Sequence, residues 1–243
     1  MMDHCKSDHC KNDCRKVDHL KAVFFDADDT LIDHRECERQ ALMHLFCNIG
    51  IDYEESYRDV FRQIEKELWD DPNCPIPKDE IFVYRFYRLF ELIGVEYDNP
   101  LRANELFKKG LSQTNAVLER AVEVVEYTSS KKLPVCIVTN GLIELQKPRV
   151  SNSAVGKYID HIITSEEARA PKPDPLIFNL MLQKLDMSPE DVIMIGDSLA
   201  NDIQGAKNAG IKSIWYNPNR VENKTDILPD YEIHDLREIK EII

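Results

Sequence analysis

Residues 22–31 read Ala22-Val23-Phe24-Phe25-Asp26-Ala27-Asp28-Asp29-Thr30-Leu31. Four apolar residues end abruptly at a carboxylate, and two more carboxylates follow within three positions. A short unbroken apolar run of this kind predicts a strand buried on both faces, as in a parallel sheet, because an antiparallel strand with one wet face would alternate instead. Downstream, strands predicted over Pro134–Val138, His161–Thr164, Val192–Ile195 and Ser213–Tyr216 alternate with helices near Arg120–Ser130, from Leu142, near Pro175–Leu185 and over Ala200–Ala209. Strands alternating with helices imply an α/β, doubly wound (Rossmann-like) parallel sheet covered on both faces. In such sheets ligands bind beyond the carboxyl ends of the strands.

Between the first strand and the rest the period changes. Ala41, Leu42, Leu45, Phe46 and Ile49 form one helical stripe, closed by Gly50. Tyr57, Val60, Phe61, Ile64 and Leu68 form a second, and Phe82, Phe86, Leu89, Phe90 and Ile93 a third, closed by Gly94. Asn99-Pro100 reads as an N-cap and first-turn proline for a fourth helix. The expected organisation is a tail over residues 1–17, an α/β core from residues 18–33 and 116–243, and an inserted all-helical domain over residues 34–115.

Composition narrows the function. The 243 residues carry 31 Lys plus Arg against 44 Asp plus Glu, a formal net charge of −13. Polynucleotide binding needs clustered cations to neutralise phosphates, and no basic stripe is present. Hydrophobic residues at 43% and charged residues at 31% suit a globular protein with a sizeable core. No apolar run approaches the ~18 residues of a membrane span, and the first 20 residues have no apolar core of a secretory signal, so the cytosol is the expected location. Seven cysteines, three of them at Cys5, Cys10 and Cys14, fit reduced thiols better than a disulfide framework. The tail repeats Asp3-His4-Cys5-Lys6 as Asp8-His9-Cys10-Lys11, but its Cys-x4-Cys-x3-Cys spacing fits no closed zinc module, and a disordered tail is expected.

Each predicted strand end carries a polar cluster: Asp26 to Thr30 after the first, Thr139-Asn140-Gly141 after the next, Lys172 within Ala170-Pro171-Lys172-Pro173, and Gly196-Asp197-Ser198 with Asp202 five residues past Asp197. Any one alone is ordinary turn chemistry, since Asp, Asn, Gly and Ser favour such turns for backbone reasons. Four in this order should converge on one rim.

In that order the clusters resemble the haloacid dehalogenase superfamily of aspartate-dependent phosphohydrolases, over about residues 20 to 243. The resemblance matches Asp26, Asp28 and Thr30 to the first motif, Thr139 to the second, Lys172 to the third, and Asp197 with Asp202 to the acidic fourth. It implies that the helical insertion is a cap of the first type. It further implies that Asp26 is the nucleophile, that Asp28 is the general acid and base, and that Thr139, Asn140 and Lys172 hold the phosphate. Mg²⁺ would sit on Asp26, Asp28 and Asp197, Asp28 adding its backbone carbonyl, with Asp202 orienting Lys172 or a metal-bound water. Hard oxygen donors suit Mg²⁺. An acid two residues after the nucleophile favours phosphoryl transfer over dehalogenation, because an ester formed to carbon needs no such acid.

The stretch from Thr139 through Leu145, Gln146 and Arg149, and Ser165-Glu166-Glu167 ahead of Lys172, resembles the branch holding pyrimidine 5'-nucleotidases. A small phosphomonoester is the implied substrate, with phosphoglycolate or sugar-phosphate phosphatase or mutase activity the alternative. A non-catalytic phosphometabolite-binding protein would be expected to lack Asp26, Asp28 or Lys172, and all three are present.

Three features depart from the family pattern. Pro148 lies inside a helix, Leu118-Glu119-Arg120-Ala121 stands where a Pro-Gly turn is usual, and Arg169 stands near a frequent glycine. Arg169 is expected to be an exposed loop cation, the aromatics from Phe82 to Phe90 to form the core of the helical domain, and Arg85 and Arg88 to be solvated.

Overall fold

The structure, a computed structural model, describes residues 16–17, 19–71 and 74–243. The repeated Cys/His segment of the tail lies outside the described residues. The chain divides into two compact units, one running up to Asp33 and resuming over Asn115–Ile243, the other spanning His34–Thr114.

The first unit is built on a six-stranded parallel sheet. Its strands are β1 (Ala22–Phe25), β2 (Val135–Thr139), β3 (His161–Thr164), β4 (Val192–Gly196), β5 (Lys212–Tyr216) and β6 (Tyr231–Ile233), in the spatial order β3-β2-β1-β4-β5-β6. The two strands flanking β1 are β2, which pairs Phe25 with Ile137, and β4, which pairs Phe25 with Ile195. Strands β1, β2 and β4 are buried at every position, which is why their sequences show no alternation. One face buries Phe24, Cys136, Val138 and Met194 against Ile177, Phe178 and Met181. Each such aliphatic or aromatic side chain contributes about 1.5–3 kcal/mol on leaving water. Because β1 is central, with the reversal of strand order beside it, the residues leaving its carboxyl end enter the crevice that this topology forms.

The connecting helices of this unit, numbered after four that lie in the other unit, are α5 (Ala121–Ser130), α6 (Ile143–Asn152), α7 (Ser165–Ala168), α8 (Pro175–Leu185) and α9 (Gln204–Asn208). Helix α8 begins as its sequence dictates, with Asp174 accepting from the Leu176 amide and Pro175 in the first turn. Between β4 and α9 the predicted single helix is replaced by one π-helical turn, Leu199–Ile203, before α9. The edge strand β6 is not legible in the sequence, because three residues with one exposed glutamate give too little pattern.

The second unit consists of α1 (His34–Asn48), α2 (Glu55–Asp70), α3 (Lys78–Ile93) and α4 (Pro100–Gln113), the four helices that the stripes and the Asn99 cap predict. Asn99 accepts from the Arg102 amide, and Gly94 ends α3 at φ 69°, a left-handed conformation that glycine adopts without a Cβ clash. Phe61, Phe86 and Phe107 meet with ring centroids 5.3–5.4 Å apart in its core.

Arg85 corrects the sequence reading. It is buried, not solvated, with its guanidinium 4.9–5.4 Å from the rings of Phe61, Phe82, Phe86 and Phe107, and it pairs with Glu65 and bonds Asn104. Of the aromatics from Phe82 to Phe90, Phe86 and Phe90 are buried as helical spacing predicts while Phe82 and Tyr87 are exposed, and a long cation can be drawn into such a core when ring faces and a carboxylate surround the charge. Arg88 is partly exposed, beside Glu91.

A second buried charge in this unit behaves differently. Glu38 is 2% exposed, with Arg62 at 3.2 Å and Arg58 at 3.7 Å. Burial pushes its carboxyl up to about 7, helped by the charge of Glu65 and opposed by His34, Arg62 and Arg58. A folded-state pKa above the unfolded one means the native protein binds the extra proton between about pH 4.5 and 7. Stability is therefore lost as pH rises through that window and stays lost above it. Glu38→Gln, which copies the protonated form, is expected to raise thermal stability at pH 8 by about 1–3 kcal/mol, at roughly 1.4 kcal/mol per pK unit. Near pH 4.5 the gain should disappear. A Tm that rises equally at both pH values would show that the substitution acts through packing instead.

Candidate active site

Asp26 directly follows β1, and its amide donates to the Ile195 carbonyl, so the sheet itself fixes where the side chain starts. Thr139 ends β2, Asp197 follows β4, and Lys172 sits in the loop before α8. Together with Asp28, Asn140 and Asp202 they line one cavity of about 300 Å³. The structure thus brings all seven sequence-predicted residues to the same rim.

Lys172 is the hub. Its ammonium donates to Asp26 Oδ1 at 2.5 Å and to the Val138 carbonyl at 2.8 Å, and lies 2.7 Å from Asp202 Oδ1. Burial opposes its charge, but Asp202 and Asp26 outweigh that and raise its pKa, so it stays protonated. Asn140 holds the loop that carries it, accepting from the Lys172 amide at 2.8 Å and donating to the Lys172 carbonyl at 3.2 Å. Asp202 is set by the turn before α9: its Oδ2 accepts from the Ser198 amide at 3.0 Å. It lies so close to β4 that a Cβ on Gly196 would come within 2.3 Å of that oxygen, so only glycine fits there.

Asp26, Asp197 and Asp202 each place a carboxylate oxygen within 4.8 Å of the others. Burial raises Asp26 well above the usual carboxylate range, with Lys172 opposing and Asp202 and Asp197 adding to the rise. Burial also pushes Asp197 up to about 7, reinforced by Asp202 and Asp29. One ammonium thus faces three carboxylates, and the excess negative charge in a desolvated pocket is what a divalent cation would relieve. An all-oxygen donor set of this kind fits a hard cation such as Mg²⁺.

Asp28 departs from that cluster. Its side chain is turned to α6, where Arg149 Nη2 donates to Oδ1 at 2.6 Å and Gln146 Nε2 donates to Oδ2 at 2.7 Å. Gln146 and Arg149 belong to the stretch that resembles the nucleotidase branch, and the sequence alone assigns neither a role. The available signal was their spacing, three residues apart on a helix that starts just after Thr139, which puts both on one face. Arg169 is exposed, as expected, and ends α7 at φ 55°.

A buried aspartate at the end of the central parallel strand, paired with a lysine and neighboured by two further carboxylates, lies where a doubly wound sheet binds its ligands. The chain matches the haloacid dehalogenase-like hydrolase family over residues 20–210 and belongs to it. It is 34% identical over 221 residues to the pyrimidine 5'-nucleotidase PynA of Streptococcus pneumoniae, covering 90% of this chain and 93% of that one. It is 28% identical to the pyrimidine 5'-nucleotidase YjjG of Escherichia coli, covering 91% and 96%. Among solved structures, the HAD-hydrolase YfnB of Bacillus subtilis bound to magnesium superposes with a TM-score of 0.82 at 29% identity, covering 91% of this chain and 97% of that one. The protein is therefore an enzyme, a haloacid dehalogenase-type phosphohydrolase. Among the described residues no helix is long and apolar enough to cross a membrane.

Proposed function

We propose that the protein is a Mg²⁺-dependent phosphatase of small phosphomonoesters, with pyrimidine nucleoside 5'-monophosphates such as UMP or dUMP as preferred substrates. The observation that carries the reaction is Asp26 at the end of β1, its carboxylate held by Lys172 at 2.5 Å. In the first step an Asp26 oxygen attacks phosphorus, the bond from phosphorus to the ester oxygen breaks, and that oxygen takes a proton from the Asp28 carboxyl. In the second, water gives its proton to the Asp28 carboxylate and attacks the aspartyl-phosphate, which releases inorganic phosphate and restores Asp26. One hard displacement becomes two easier ones. Lys172, and Thr139 and Asn140 at the end of β2, hold phosphate oxygens and offset the charge that builds on them.

Asp26 and Asp197 would hold Mg²⁺, with the Asp28 backbone carbonyl, and Asp202 would orient Lys172. Bound there, the ion supplies positive charge that lets an anionic nucleophile approach an anionic phosphate. The four-helix unit corresponds in this reading to the family's cap. The preference for pyrimidine nucleotides is supported by the names of the relatives PynA and YjjG, both pyrimidine 5'-nucleotidases.

Measuring kcat/KM with Mg²⁺ for UMP, dUMP, AMP, phosphoglycolate and glucose phosphates tests both levels. UMP and dUMP should lead, and removing divalent ions with EDTA should abolish turnover until Mg²⁺ is restored. A value for phosphoglycolate or a hexose phosphate tenfold above UMP rejects the nucleotidase reading. Full activity in EDTA rejects the metal dependence.

A further inference from the structure

We propose that Arg149 and Gln146 are positioning residues for Asp28, fixing the place from which its carboxyl group delivers and takes the proton in the two steps above. The inference rests on the phosphatase reading and adds to it the part played by α6.

The geometry is that of a built clamp. Arg149 is 1% exposed, the largest of the fully buried side chains, although it carries a permanent charge. Its Nη2 donates to Asp28 Oδ1 at 2.6 Å and its Nη1 to Oδ2 at 3.3 Å, the two-pronged pairing that a planar guanidinium makes with a carboxylate. Gln146, also buried, donates through one Nε2 to both Asp28 Oδ2 at 2.7 Å and the Asn140 carbonyl at 3.1 Å, and its Oε1 accepts from Arg149 Nη1 at 3.2 Å. Asp28, Arg149, Gln146 and the backbone after Thr139 thus form one closed network. Gly141 makes room for it: at φ 142° it lies so near Gln146 that a Cβ would come within 3.0 Å of that side chain.

A fully buried arginine is costly unless its partner is fixed, and here that partner is the side chain assigned to proton transfer. The clamp holds that carboxyl group on the α6 side of the pocket, so it is not one of the three oxygens gathered from Asp26, Asp197 and Asp202. A proton donor that wandered into that cluster would be lost to the leaving group.

Proton transfer matters unequally to different esters, and the test uses that inequality. An alkyl ester such as UMP needs its leaving oxygen protonated, whereas p-nitrophenyl phosphate leaves as a stable anion. Arg149→Met should lower kcat/KM for UMP about 10- to 100-fold and for p-nitrophenyl phosphate less than about threefold. Hydrolysis of the aspartyl-phosphate would also slow, so a pre-steady-state burst of about one p-nitrophenol per active site should appear. In an Asp28→Asn background, Arg149→Met should add less than about twofold, because the residue it positions is gone. Equal losses on both substrates without a burst, or a full multiplicative loss in Asp28→Asn, would overturn the proposal and assign Arg149 to folding alone. If circular dichroism shows Arg149→Met unfolded, Gln146→Leu carries the same test, with the same substrate bias at about 3- to 10-fold. Wild-type protein that hydrolyses neither ester rejects the phosphatase reading and this inference with it. Turnover without the bias rejects only the inference.

Discussion

Asp26→Asn is expected to lower phosphate release at least about a thousandfold while leaving the protein folded. The substitution keeps the size and planarity of the side chain but removes the nucleophilic oxygen, and loss of a nucleophile has no partial substitute within the site. Folding should survive because Lys172 keeps its other partners, Asp202 at 2.7 Å and the Val138 carbonyl at 2.8 Å. Stability without divalent ions should even rise, since one of three mutually repelling carboxylates is gone. The wild type should yield an acid-stable, hydroxylamine-sensitive phosphorylated species, and the variant none. Turnover near the wild-type rate in Asp26→Asn would sink the covalent mechanism, and a collapsed circular dichroism spectrum would show that Asp26 is needed to fold the β1 terminus.

How much of this was legible in the sequence depends on what each feature is made of. The buried strands and the four amphipathic helices are patterns of many residues and could be read directly. The rim residues could be read because each stands at the end of such a pattern. Two of the departures from the family pattern resolve into backbone conformation: Arg120 has φ 71° and Arg169 φ 55°. These are left-handed positions that favour glycine, so both departures fall at turns where a glycine would carry no Cβ clash. Pro148 lies within α6, six residues in, and the helix continues to Asn152. What the sequence hid was long-range pairing of charge. Arg85, paired with Glu65 of α2 and Asn104 of α4, and Arg149 on Asp28, 121 residues away in the chain, are polar groups at helical positions whose charge partners lie on other elements. Periodicity describes a face and says nothing of what meets it.

Lys172→Met should be the most damaging single change to stability in the first unit. The lysine is 4% exposed, and among the described residues its ammonium is the cation paired with the carboxylates of Asp26 and Asp202. Methionine fills similar volume, so the loss is electrostatic. Removing one member of a buried charged set costs about 3–5 kcal/mol, because the uncompensated partners stay desolvated. For a chain of this size that is a fall in Tm of roughly 6–20 °C. Turnover should fall at least about a hundredfold as the charge opposing the phosphate disappears. Two comparisons separate electrostatics from packing. Mg²⁺ should raise the Tm of Lys172→Met, since a cation bound only by the folded state stabilises by mass action and here replaces part of the missing charge. Lys172→Met combined with Asp202→Asn should recover part of the lost stability, though not the activity, because it removes a second charge along with the first. A variant whose Tm stays within about 2 °C of wild type and whose turnover stays within tenfold would mean that the carboxylates are balanced from elsewhere. If both the Mg²⁺ response and the double-variant recovery are missing, the damage lies in packing, and Lys172 is holding the loop before α8 against β2 instead of holding charge.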